Sequence, residues 1–246
     1  MNSLIICEGK TDSILLSYYL KKIKGWSFTT KNVPFKQPKL ADNDGSVFSW
    51  YKLNDNYLGI WGVGGNSQFS TAISEILKIN NLLNDESKII SKLVMMTDRD
   101  NETEAQKIQE LTSFFNAHSQ TPIELINNNW IDYEYKNSFQ EELLMQISCL
   151  IIPFTSEGAI ETFLLDALSN IDANNLSLIE EIKQFIDSLN SPYLRRDRDK
   201  LKSKFATTLA IMYPEKTFTP IDQLLTSIPW EDYKTIQEGF LILEQM

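Results

Sequence analysis

Five carboxylates in this chain stand where an apolar run stops. Leu4–Cys7 is uninterrupted apolar sequence that ends at Glu8, with Asp12 one short turn later. Lys92–Thr97 is a second such run, and it leads directly into Asp98, Asp100 and Glu102. Runs of this length, bounded by turn signals, read as buried parallel strands. Ligands of open parallel sheets gather outside the carboxyl ends of the strands, so neighbouring strands would bring all five acids to one rim. Alternate residues of an extended chain face the same way, which predicts that Asp98, Asp100 and Glu102 line one pocket. Clustered carboxylates raise one another's pKa and oppose folding. A hard divalent cation relieves this, and Mg²⁺ is the usual one where a substrate brings phosphate oxygens. Each acid also has a plainer use, since Asp12 and either Asp98 or Asp100 can cap a following helix. Two strand-then-acid motifs in the same chain are harder to explain by capping than one.

The elements that must position these acids follow from the pattern. A helix is expected from about Ser13 to Lys24, after a cap at Thr11 or Asp12. Phe28–Asp55 holds Pro34, Pro38, Gly45 and several Asn and Asp residues, and reads as an insertion of loops with a short hairpin near 28–56. Tyr57–Trp61 reads as a strand entering the glycine turn Gly62, Gly64, Gly65, with a helix from about Ser67 to Leu83. Further helices are expected over Glu104–Ala117 and Ser156–Ser169, and further strands near Ile123–Asn127 and Leu150–Phe154. Alternating strands and helices predict an α/β fold with helices on both faces of a mostly parallel sheet. Beyond Asn170 the pattern turns helical, broken by the charged segment Tyr193–Lys204. Short helices separated by Pro214, Pro220 and Pro229 follow. The division expected is 1–170 as the catalytic domain and 171–246 as a helical extension.

Composition narrows the function. The 246 residues carry a net charge of −10, which argues against a passive nucleic-acid coat but not against an enzyme whose carboxylates hold metal. Cys7 and Cys149 lie in apolar runs and read as reduced core residues, and with the lone His118 they show no zinc-ligand spacing. His118 sits in a polar stretch and reads as a solvated loop residue. Trp50, Trp61 and Trp130 could stack on bases, but fit core or sheet-edge positions better. The first apolar run is too short for a signal peptide and none reaches membrane-spanning length, so a soluble, cytoplasmic protein without membrane contact is expected.

Ile5-Ile6-Cys7-Glu8-Gly9-Lys10-Thr11-Asp12 resembles the first motif of the toprim family, a hydrophobic strand followed by Glu-Gly. Val94-Met95-Met96-Thr97-Asp98-Arg99-Asp100 resembles the second, a hydrophobic strand followed by Asp-x-Asp, and Gly62-Val63-Gly64-Gly65 sits where many members have a glycine turn. The resemblance covers roughly residues 3–165 and implies a toprim-like Rossmannoid sheet. It implies that Glu8 is the acid/base or metal-positioning carboxylate and that Asp98 and Asp100 hold Mg²⁺, with Mn²⁺ as a substitute. Glu102 stands where some members carry a third acid.

Asp12 is similar to an acid of the nuclease branch, the relatives of the overcoming-lysogenization-defect proteins. Glu161 matches that branch's later glutamate, and Lys204 its lysine. The expected site is Glu8, Asp12 and Asp98 on one metal, Asp100, Glu102 and Glu161 on or near a second, and Lys204 facing the transition state. Lys10, Arg195, Arg196, Arg198 and Lys202 are the expected nucleic-acid contacts, against the plainer reading of a solvated helix of mixed charge. The chain is too short for a type IA topoisomerase and lacks the cysteines of the primase and recombination-mediator branches. The function so implied is a metal-dependent nuclease on DNA or RNA, with room for an ATPase partner protein and a homodimer. The alternatives are an RNA-processing ribonuclease, a hydrolase of nucleotides or phosphate esters, and a non-catalytic metal- or nucleotide-binding module.

Overall fold

A computed structural model describes residues 1–38, 45–216 and 218–246. The molecule is an α/β sandwich built on one seven-stranded sheet. In chain order the elements are β1 (Asn2–Cys7), α1 (Lys10–Lys24), β2 (Ser27–Thr29), β3 (Val47–Leu53), β4 (Asn56–Gly62), α2 (Phe69–Leu82), β5 (Ile90–Asp98), α3 (Glu104–Asn116), β6 (Ile131–Lys136), β7 (Glu142–Ile152), α4 (Ile160–Ser169), α5 (Ala173–Ser188), α6 (Asp197–Met212), α7 (Ile221–Leu225) and α8 (Lys234–Gly239). The sheet order is β2-β3-β4-β1-β5-β7-β6. The four central strands, β4, β1, β5 and β7, are parallel, while β2 and β3 on one side and β6 on the other run antiparallel to their neighbours.

β1 is buried at every position because helices cover both of its faces. Strand alternation sends Ile5 and Cys7 into one apolar layer and Leu4 and Ile6 into the other. The first layer is closed by α1, α4 and the helices α5–α8, the second by α2 and α3. Trp230 and Phe240, both fully enclosed, anchor the carboxy-terminal helices in the first layer. Truncating either ring to alanine would cost about 3–5 kcal/mol. Local chemistry sets the helix ends. α1 stops at Gly25, which takes a φ of 82°. α3 starts at Thr103, whose side chain and that of Gln106 cap each other's backbone N–H.

Several expectations need correction. The apolar segment near Ile123–Asn127 is no strand and makes one isolated bridge, Asn127 to Cys149. The edge strand there is β6, whose alternating Ile131-Asp-Tyr-Glu-Tyr-Lys buries Tyr133 and Tyr135. The strand expected over Leu150–Phe154 is the end of the eleven-residue β7, which stops at Ile152. The helix expected from Ser156 begins at Ile160, because Gly158, at φ 134°, is held in a bridge to Asp100. The helical pattern is broken over 189–196, between α5 and α6, and the later part of the charged segment Tyr193–Lys204 is helical, since α6 starts at Asp197. The Phe28–Asp55 insertion contains β2 and β3, and β3 joins β4 through the turn Asn54–Asp55. Residues 39–44 of that insertion lie outside the described residues.

Candidate functional site

The parallel register places Cys7 opposite both Gly62 of β4 and Met96 of β5, so β1 and β4 end level while β5 runs two residues further, to Asp98. The residues that follow line one cleft of about 360 Å³ at the carboxyl edge. Its walls include Glu8, Asp12, Asp98, Asp100 and Glu161 together with Lys10, Arg198 and Lys202. The glycine turn allows this closeness. A Cβ on Gly62 would fall 2.6 Å from the Gly9 carbonyl oxygen, and the N–H groups of Gly64 and Gly65 both reach Glu8 O at 2.8 Å.

Three of the acids are held by backbone amides through one oxygen each. Glu8 Oε1 accepts the Asp98 N–H at 2.9 Å and the Thr97 hydroxyl at 2.7 Å. Asp12 Oδ2 accepts the Gly9 N–H at 2.7 Å. Asp98 Oδ1 accepts the Ile160 N–H, from the first turn of α4, at 2.9 Å. The second oxygen of each accepts no hydrogen bond from a described residue.

The electrostatics of the cleft are strained. Burial pushes the Asp12 carboxyl up to about 7. That value already includes the lowering by the Gly9 N–H, the upward push of Glu8 and Glu161, and the lowering by the Arg198 guanidinium. Burial also drives Asp98 well above the usual carboxylate range, helped by Asp12, Glu8, Glu161 and Asp100. Burial, Asp12, Glu8 and Asp98 raise the neighbouring Cys7 thiol, so it is an inert core group.

Five carboxylates face three cations in the lining. A phosphate is repelled unless a cation intervenes, and hard oxygen donors with one unengaged oxygen each suit Mg²⁺ chemically. Among the described residues no three acidic, histidine or cysteine side chains converge on one point as they stand. A bound cation would have to draw them in.

Some expected residues fall elsewhere. The chain after Asp98 is not extended, so the predicted alternation fails. Asp100 has a φ of 53° and exchanges two 2.7 Å hydrogen bonds with Gly158, and the Glu102 N–H turns back to Arg99 O. Glu102 leaves the cleft and sits 3.7 Å from the Lys107 ammonium. Lys204 also lies outside, ion-paired at 2.8 Å with Asp187 of α5. Arg198 and Lys202, four residues apart on one face of α6, reach the cleft instead. Arg196 is exposed and bonded to Asp199, and Arg195 is exposed and not part of the lining. Lys10 lines the cleft but its ammonium is bonded to Asp222. His118 pairs with Ser70 away from the cleft. Trp50 and Trp61 are core residues, and Trp130 is half-buried under the Lys92 ammonium.

Three contributors escape the sequence reading. Thr97 supplies the hydroxyl on Glu8. Asn66 lines the cleft with its amide nitrogen on Glu110. Lys107 is 2% exposed and lies near Glu110, Glu102 and Asp100 at 3.2, 3.7 and 3.9 Å. Burial works against its charge, yet the three acids hold its pKa above the ordinary lysine value. Its spacing with Leu111 and Phe115 was a signal that it belongs to the buried face of α3.

A family model described as a protein of unknown function (DUF3226) matches residues 2–236. The chain belongs to this family. A search among curated proteins gives no match to this DUF3226 chain. Among solved structures, it is similar to the crystal structure of hypothetical protein PH0156 from Pyrococcus horikoshii OT3. That match is 14% identical, covers 99% of this chain and 98% of the other, and has a TM-score of 0.44. Among the described residues no helix is long and apolar enough to cross a membrane.

Proposed function

We propose that this chain is a toprim-like, Mg²⁺-dependent nuclease that cleaves phosphodiester bonds of DNA or RNA. The observation that carries the reading is the hydrogen bond from the Asp98 N–H to Glu8, which ties the acids ending two adjacent parallel strands at one cleft. Asp12 and Glu161 act electrostatically on Asp98 in the same cleft, which supports a shared cation.

Glu8, Asp12 and Asp98 would hold Mg²⁺ or Mn²⁺, with Asp100 and Glu161 as donors toward a second ion. When bound, such a cation supplies positive charge to a phosphate oxygen and acidity to a water. The chain's own groups do the rest. Arg198 and Lys202 grip and orient the phosphate. Where Asp12 and Asp98 hold the cation, Glu8 keeps Oε2 free to take the proton of the attacking water. The walls of α1 and α4 hold the scissile bond against the sheet edge.

A second reading has its own support. Asp12 accepts the Gly9 N–H where α1 begins and Asp98 accepts an N–H at the start of α4, so both acids also serve helix starts. On that reading the chain is a metal- or nucleotide-binding module without turnover.

One experiment separates them: incubation of labelled DNA and RNA with Mg²⁺ or Mn²⁺, beside Glu8→Ala and calorimetry of metal binding. Metal-dependent cutting that is lost in the variant supports the nuclease. Metal binding without cutting favours the module, and neither leaves the acids as caps.

A further inference from the structure

A groove leaves the acidic cleft at Lys10 and follows α1 along the side that faces β3. The cleft shares Lys10 with a trough of about 230 Å³ floored by Ser13, Ser17 and Ser49. That trough shares Ser17 and Tyr51 with a third hollow of about 550 Å³ at the far end of the helix. α1 has fifteen residues, so the path is about 22 Å long.

The far hollow differs in chemistry from the cleft. Tyr18, Trp26, Phe28 and Tyr51 line it together with Lys21 and Lys22. Phe28 is 66% exposed, a large ring facing solvent, and meets Tyr51 edge-on at 6.2 Å. Trp26 is 1% exposed, and its indole N–H has no acceptor among the described residues. A buried donor without a partner is uncommon and points to a missing acceptor. The Lys22 ammonium lies 5.4 Å from the Tyr18 ring centre and 3.4 Å from the Glu231 carboxylate, and Lys21 makes no ion pair among the described residues.

We propose that this groove is the track of single-stranded nucleic acid, with a phosphate in the acidic cleft and a base several nucleotides away stacked in the aromatic hollow. The inference rests on the nuclease reading and names its substrate class. Stacking rings beside cations are what an unpaired strand needs, because every base has a π-face and every linkage a charge. The exposed Phe28 ring and Tyr51 offer the stacking faces, and the strand's phosphates complement Lys21, which has no carboxylate partner among the described residues. Duplex bases are stacked on each other and cannot enter the hollow.

The test is fluorescence anisotropy of the full chain with end-labelled oligonucleotides, in Ca²⁺, over a series from dinucleotide to dodecanucleotide. DNA, RNA and duplex forms run in parallel. Phe28→Ala and Lys21→Glu alter exposed residues and leave the core intact, and Phe185→Ala on α5 is the control. Affinity should rise once the strand reaches about four to six nucleotides. Each groove variant should weaken the dodecanucleotide by about tenfold and leave the dinucleotide unchanged. The DNA and RNA arms identify which strand is held. Affinity independent of length, or groove variants that bind the long strand like the control, overturns the track. Hydrolysis of bis(p-nitrophenyl) phosphate with Mg²⁺ reads the acidic cleft alone. Its absence beside length-dependent binding sinks the nuclease reading and keeps the track. Its presence without length dependence does the reverse.

Discussion

Glu8 and Asp98 are joined by a 2.9 Å hydrogen bond from the backbone of the second to the carboxylate of the first. The bond uses one oxygen of Glu8 and fixes the direction of the other. Glu8→Gln keeps a carbonyl oxygen for the same bond while removing the charge and the proton acceptor. Cleavage should therefore fall by at least about a hundredfold with the melting temperature unchanged. A parallel loss of melting temperature, measured by circular dichroism, would mean that Glu8 only ties two strands together.

The metal-free protein should be less stable at pH 8 than at pH 5. Asp12 has a folded-state pKa of about 7, above the roughly 3.9 of an unfolded chain. A carboxyl raised in the folded state contributes stability that is complete below the unfolded value and is lost as pH climbs through the folded one. Asp98 is shifted in the same direction. For Asp12 the loss is on the order of a few kcal/mol, and Asp98 adds to it in the same direction. Urea titrations in EDTA at the two pH values measure it. Asp12→Asn should flatten the difference, and Mg²⁺ should stabilise wild type more at the higher pH. Equal stability in EDTA at both values would contradict the electrostatic account.

Arg198 and Lys204 make opposite predictions. Arg198 lines the cleft and lowers the pKa of Asp12, whereas Lys204 is engaged by Asp187. Arg198→Ala should reduce kcat/KM on nucleic acid by about tenfold or more, the value of a charge-assisted phosphate contact. Lys204→Ala should cost little activity and less than about 1 kcal/mol of stability, as for an ion pair with one exposed partner. Steady-state kinetics on the two variants decide between the wall of α6 seen here and the lysine that the family resemblance implies.

Gly158→Ala should damage the cleft without touching an acid. The residue has a φ of 134°, and a Cβ there would lie 2.2 Å from Thr162 Oγ1. Relief requires the turn before α4 to move, which breaks the reciprocal bonds to Asp100 and shifts the amide on Asp98. A cost of about 1–3 kcal/mol is expected, with weaker Mg²⁺ affinity by calorimetry. Unchanged affinity would show that this turn does not position Asp98.

The sequence was most informative where burial is two-sided. Leu4–Cys7 and Lys92–Thr97 become β1 and β5 with small extensions, because strands covered on both faces are apolar throughout. Adjacency of their acids was readable from the same runs. Glu102 was not, since the alternation argument assumes extended chain and Asp100 turns left-handed through its bridge to Gly158, a contact 58 residues away. Lys204 failed for a related reason. On a helix carrying basic residues at 198, 200, 202 and 204, composition does not say which face meets the sheet. β6 was overlooked because half-polar Ile131–Lys136 competes poorly with the more apolar Ile123–Ile126, although its alternation marks an edge strand. Thr97 and Asn66 act through contacts that appear only once the strands and helices are assembled.

The acids of the cleft come from strand ends, the loop after β5 and the starts of α1 and α4, while Arg198 and Lys202 come from a carboxy-terminal helix laid over them. On the proposed reading, chemistry and grip would reside in separate stretches of the chain. Substitutions on the exposed turns of α6 would then retune which phosphate-bearing molecule is held while the carboxylates keep their backbone anchors. Selection would thus have a dial for specificity outside the anchored acids, touching them only through the charge of Arg198 on Asp12, and divergence among relatives is expected to concentrate in that helix.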